Sequence, residues 1–386
     1  MRKDGRPKQM IGLECSPCCY IRTQLPSHRA LPHSAVAMPR MSPPPPVHDE
    51  TWRALLAAAA EFSTAELWEF MSDSDLVGLV DPVTGEKRIG SVLGNARQVF
   101  AAIFYRRAGV RWVLEMSSGE KDPHTLDATE GMDCLKLEFV PKKELWKEDM
   151  ARLNAAGFKP AGRGAKWPQA RASEPGWHPW HVTQTEAEQL LADLPRLLAF
   201  GRLYKTEPEL YEGRALEEIP FLPATLPPRL LTLDDLDWRP ILLPPEPEKV
   251  FRIPPDELEK LLRLPVLPGV QFEFDATVMP GMSLLENGRP CFGRIGLLVE
   301  SRRGLILSTE IKAGATPAVE AAGRALVKGL LLAGARPERL LIGGMALDPV
   351  LRPLCDALKI KLQPASALPA LDEAMAALGQ RFGGGF

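Results

Sequence analysis

The best-patterned hydrophobic positions lie in the last third of the chain. Phe272, Phe274 and Ala276 alternate with Glu273, Asp275 and Thr277, which predicts a strand over 271–278 with one apolar and one polar face. A second strand is predicted over 290–300, a turn at Ser301-Arg302-Arg303-Gly304, and a third strand over 305–312. Thr316-Pro317 then opens a helix with Val319, Ala322, Leu326 and Leu330 on one side, closed by Gly334. A short apolar strand over 339–342, a helix from Asp348-Pro349, a strand over 360–362 and a helix from Pro369 complete the order βββαβαβα. This predicts an α/β unit with a mixed sheet over residues 265–381.

The segment 47–205 is patterned differently. Trp52, Leu55, Leu56, Ala59 and Phe62 keep a helical period, and Leu67, Trp68 and Phe70 follow in a short second helix. Short runs at 76–80 and 88–93 flank Asp81-Pro82-Val83-Thr84-Gly85, which reads as a hairpin. Helices are expected at 96–105, 110–116 and 143–156, and strands at 134–140 and 167–172. A long closing helix over 183–203 should be kinked or interrupted by Pro195. The expectation is an α+β domain with a mainly antiparallel sheet.

Between them, residues 206–264 carry eleven prolines from Thr206 to Pro255, yet also Phe221, Leu222, Leu230, Leu231, Leu233, Trp238 and Ile241. Pure linkers are seldom so apolar. An extended strap docked on a folded domain is expected. Residues 1–46 show no hydrophobic period, hold seven basic residues against two acidic ones, and end in Pro43-Pro44-Pro45-Pro46. They are expected to be an irregular tail that packs against nothing, with Met38 or Met41 as alternative starts to Met1. Cys15-x-x-Cys18-Cys19 with His28 and His33 has the residue types of a small zinc knuckle, but no strand or helix pattern surrounds them.

Composition narrows the function classes. The net charge of −2 gives no global attraction to nucleic acid or an anionic membrane, and no run of 18 apolar residues exists. With few cysteines and no charged start followed by an apolar core, a cytoplasmic protein with free thiols is expected. There is no dinucleotide or nucleotide loop pattern. One stretch interleaves cations with aromatics: Arg163, Lys166, Trp167 and Arg171, followed by Trp177, His178, Trp180 and His181. It is the candidate single-strand nucleic-acid contact, set against the plainer reading that the tryptophans pack beneath the closing helix.

The element order of the C-terminal unit resembles the ribonuclease-H-like fold shared with integrases, and Phe272-x-x-Asp275-x-Thr277 resembles the first-strand motif of the integrase-type enzymes. The resemblance implies carboxylates that hold two Mg²⁺ or Mn²⁺ ions, with Asp275 as the first ligand. The second acid should follow the fourth strand, where Gly343-Gly344-Met345 stands instead; Asp348 comes later, and Glu373 or Asp372 would be third. A non-catalytic binding or scaffolding protein without cofactor is therefore expected. A metal-dependent nucleic-acid hydrolase using Asp275, Asp348 and Glu373 is the alternative. Protein or nucleic-acid partners are both open, and no membrane is expected. The whole chain also resembles a bacterial family of uncharacterised two-domain proteins. Its N-terminal match rests on Leu79-Val80-Asp81-Pro82-x-Thr84-Gly85, Gly90-Ser91-Val92-Leu93-Gly94 and Pro175-Gly176-Trp177-x-Pro179-Trp180. Its C-terminal match rests on the run from Phe272 to Gly344 and on 368–374.

Overall fold

A computed structural model describes residues 41–118, 132–160, 165–215, 218–241, 243 and 248–382. The cysteine–histidine cluster and Arg163 lie outside these residues. Two sheets organise the chain, each with its own core.

The first sheet has eight strands: β1 (Val77–Val80), β2 (Lys87–Leu93), β3 (Ala101–Arg106), β4 (Cys134–Pro141), β5 (Lys166–Ser173), β6 (Trp180–His181), β7 (Glu218–Phe221) and β8 (Asp237–Pro240). Their spatial order is β6-β5-β4-β3-β2-β1-β7-β8. Every neighbouring pair is antiparallel except β1 and β7, which meet in parallel at Gly78 and Phe221, so the sheet is mixed. Helices α1 (Asp49–Ala65) and α4 (Gln184–Thr206) cover one face and α2 (Ala108–Ser117) the other; α3 (Lys147–Ala155) adds Leu153 to the first core. Phe62 of α1 stacks on Phe139 of β4, ring centroids 6.0 Å apart.

Three expectations are corrected here. The helix expected over 96–105 is strand β3. All six of its residues are buried, Ala102 and Phe104 towards α1 and α4, and Ala101, Ile103 and Tyr105 towards α2. A strand covered on both faces has no polar side, so its apolar run carries no period-2 signal. The second correction is that α4 runs uninterrupted through Pro195. Leu190, Leu194, Leu197 and Leu198 are fully buried along it, and this packing outweighs the backbone bond that proline removes. Third, part of 206–264 docks on the first domain as expected, but as the sheet strands β7 and β8 rather than as a strap laid over it. Leu222, Leu231 and Leu236 are buried and Trp238 is half-buried, while Leu230 and Leu233 are exposed. The end of the same stretch belongs to the other core, because Phe251 and Leu261 of α5 (Pro255–Leu262) are buried there.

The second sheet has the order β11-β10-β9-β12-β13. Strands β9 (Val266–Glu286), β10 (Arg289–Glu300) and β11 (Leu305–Ala313) are antiparallel, and β12 (Arg336–Gly343) and β13 (Lys361–Ala365) run parallel to β9. Helices α6 (Ala318–Ala333) and α7 (Leu347–Ala357) cover one face. Helix α8 (Pro369–Phe382) packs on the other through Leu371 and Ala374, against Leu297 and Val299. Strand β9 is far longer than its predicted core. Val278 pairs with Arg294 and Ser283 with Phe292, so residues 279–282 form a wide bulge opposite Gly293. Beyond it, β9 and β10 continue as a two-stranded ribbon.

The expectation that residues up to 46 contact nothing is overturned for 42–46. Ser42 donates its backbone N–H to the Gly288 carbonyl at the ribbon tip (2.8 Å), and the Pro45 carbonyl accepts from Arg152 (2.6 Å). Among the described residues, no helix is long and apolar enough to cross a membrane.

Candidate functional site

The alternation of β9 sends Glu273 and Asp275 to the face that carries α8. Glu273 is buried, and its carboxylate accepts the Leu371 backbone N–H at 2.8 Å, so it caps the start of α8. Asp275 stands two residues on, opposite Leu297 of β10, with one oxygen accepting the Ala276 N–H at 2.8 Å. Across from it, at the end of β12, is Gly343. A Cβ on Gly343 would lie 2.9 Å from the Asp275 carboxylate. The Asp275 carboxylate itself occupies the space that a side chain at 343 would enter, and glycine there offers no second acid.

The other two candidate ligands are elsewhere. Asp348 lies in the first turn of α7 and forms a two-point ion pair with Arg352, one turn later on the same helix. The i,i+4 guanidinium, rather than a backbone N–H at the helix start, takes that carboxylate. Glu373 and Asp372 are exposed on α8. Among the described residues, no three His, Cys, Asp or Glu side chains are grouped to hold a metal ion. The donor set that two-metal chemistry requires does not assemble from these residues.

The basic–aromatic candidate resolves into packing. Arg171 is buried and gives a two-point ion pair to buried Asp149 of α3, with Trp146 against its guanidinium at 4.3 Å. The His181 Nδ1 atom is 3.5 Å from the same carboxylate. Burial would raise the Asp149 carboxyl, but His181 and Arg171 beside it hold it well below the usual carboxylate range. Arg171 is therefore committed internally and offers no charge to a phosphate. Lys166 is half-buried with its ammonium 2.7 Å from the Phe100 ring centroid, and burial lowers its pKa. Trp167 is half-buried against the first core and Phe158.

Residues 52–220 match a family model described as a domain of unknown function, DUF7309. Residues 257–379 match a second, DUF6930. The chain thus carries two domains, and the two matches fall one on each sheet. No curated protein and no solved structure matches the chain.

A third cluster joins the two domains, and sequence reading missed its role. The loop Glu174–His178 inserts between the β9–β10 ribbon and the turn after β11. Phe292 N–H donates to the Gly176 carbonyl (3.0 Å), and His178 N–H donates to the Pro290 carbonyl (3.2 Å). Gly176 has φ +79°, and a Cβ there would overlap the Gly314 carbonyl oxygen, so only glycine fits. His178 Nε2 is 2.8 Å from Ser283 Oγ, and its ring lies 4.1 Å from that of Phe292. Arg289 pairs with Glu174 at 2.9 Å and covers Trp177. The signal available in sequence was the run Pro175-Gly176-Trp177-His178-Pro179, a shaped loop too apolar for open solvent.

Proposed function

We propose that the chain is a non-catalytic binding or scaffolding protein whose C-terminal domain is a ribonuclease-H-like fold without two-metal chemistry. Three antiparallel strands followed by two parallel ones, in the spatial order third-second-first-fourth-fifth, support the fold reading. The observation that carries the functional reading is Gly343. Glycine at 343 supplies no second acid beside Asp275, and the Asp275 carboxylate occupies the space that a side chain there would enter. Asp348 neutralised by Arg352 supports the same reading. A cytoplasmic setting fits the three described thiols, Cys134, Cys291 and Cys355, all free and buried.

The test is a calorimetric titration of the full chain with Mn²⁺ and Mg²⁺, paired with cleavage assays on single- and double-stranded DNA and RNA. The expected result is no saturable binding below about 1 mM, the weak end of protein sites for hard divalent ions. Tight binding or cleavage that Asp275→Asn abolishes would replace this reading with a metal-dependent hydrolase.

A further inference from the structure

We propose that the seam between the two domains is a proton-labile joint, clasped by His178 and Ser283, that opens on acidification while both domain cores stay folded. The joint is small and mostly backbone. Among the described residues it includes two backbone hydrogen bonds, the bridge of Trp177 to Cys291, the Arg289–Glu174 ion pair and the His178–Ser283 bond, with Ser42 bonded to Asn287 and Gly288 at the ribbon tip. The large apolar clusters of the two domains lie on either side of it. A joint of this kind opens at lower cost than either core.

His178 is the group that protons act on. Its ring is buried between Phe292 and Ser283, and burial lowers its pKa to about 4. Among the described residues, the charged and titratable groups around it give an imidazolium no partner. On its own loop Glu174 is held by Arg289; on β10 the neighbours are Arg289 and Cys291; on β9 they are Ser283 and, further along the ribbon, Glu286. The turn at Gly314–Ala315 and the segment at Ser42 bring no charge. Among the described residues no carboxylate stabilises the protonated ring, and burial is what lowers its pKa. A proton taken up by His178 must therefore be solvated by water, and water reaches the ring when loop 174–178 leaves the ribbon. Opening would free both the loop and the ribbon beyond residue 279.

Amide hydrogen exchange on the full chain between pH 7 and 4.5, corrected for intrinsic rates, tests this. If the opened joint restores the ordinary histidine pKa of 6.5, the change to about 4 predicts that seam opening at pH 4.5 rises roughly 60-fold over its value at pH 7. The His178 and Phe292 amides report it, and the amides of β3 and β4 should stay protected. His178→Gln should remove the acid response. Ser283→Ala, at an exposed position, should loosen the seam at pH 7 while keeping the acid response. Unchanged seam protection across this range would overturn the proposal. So would loss of protection throughout the molecule, or an equal response in His178→Gln, which would place the titration on Glu174. A Ser283→Ala seam as tight as the parent at pH 7 would remove Ser283 from the clasp.

Discussion

Arg88 shows how much of the charge in this protein is spent inside it. It is 1% exposed, yet it makes a two-point contact with Asp193 on α4, which is itself 0% exposed, and it also reaches Asp81. Asp81 turns the β1–β2 hairpin by accepting the Thr84 and Val83 backbone N–H groups, which lower its pKa to about 2. One arginine therefore ties the hairpin to the long helix. Removing Asp193 leaves the buried Arg88 guanidinium with only the Asp81 and Glu86 contacts at its outer end. Asp193→Ala should cost about 3–5 kcal/mol of stability, read from urea unfolding of the full chain. An Arg88→Met, Asp193→Leu double variant should recover part of that loss, because neither member of the pair is then left charged without the other. The same economy governs Arg171 with Asp149, and Arg106 with Asp133 and Glu186. It explains why arginines that look available along the sequence, such as Arg171, are spent on internal carboxylates.

The elements came out of the sequence where one face is polar. Helix α6 shows its apolar stripe, and β10 and β11 are separated by a readable turn. What a hydropathy pattern leaves out is how closely two elements approach. Helix α6 lies on β10 because Gly296 has no side chain: a Cβ there would overlap the Cβ of Ala325. Gly296→Val should lift the helix from the sheet and destabilise the C-terminal domain by roughly 1–3 kcal/mol or more, the range for overpacked cores. Thermal unfolding measures it, and a midpoint unchanged from the parent would show that the helix can shift without loss. Strand β3 and the strands β7 and β8 make the complementary point. The first is covered on both faces and the others lie in a proline-rich stretch, so neither shows the alternation by which a strand is recognised.

At the scale of the whole molecule, the two domains are coupled by the seam, and the coupling depends on pH with a definite sign. Burial lowers the folded-state pKa of His178 below its ordinary 6.5, to about 4. As pH falls through 6.5 an exposed imidazole binds a proton first, so the closed state loses relative stability. The contribution is fully present above about pH 6.5 and is lost as pH falls towards 4, a change of about 3 kcal/mol at 1.36 kcal/mol per unit. Urea midpoints of parent and His178→Gln, compared from pH 7.5 to 4, should differ in slope, the parent losing more stability on the acidic side. Parallel curves would show that His178 does not carry the acid sensitivity.

The sequence by itself determined the two-domain layout, the βββαβαβα order of the second domain, the alternation that places Asp275 on the polar face of β9, and the glycines that follow β12. All of these depend on local periodicity and on residues that punctuate the chain. Only the tertiary structure decided what the charged and proline-rich parts do. Whether Asp275 has an acid or a glycine backbone across from it depends on two strands about 70 residues apart. Whether Arg171 meets a phosphate or Asp149, and whether Trp177 and His178 lie in solvent or clasp a second domain, depends likewise on non-local contact. A side chain's type states what it can bind; the fold decides which partner is within reach.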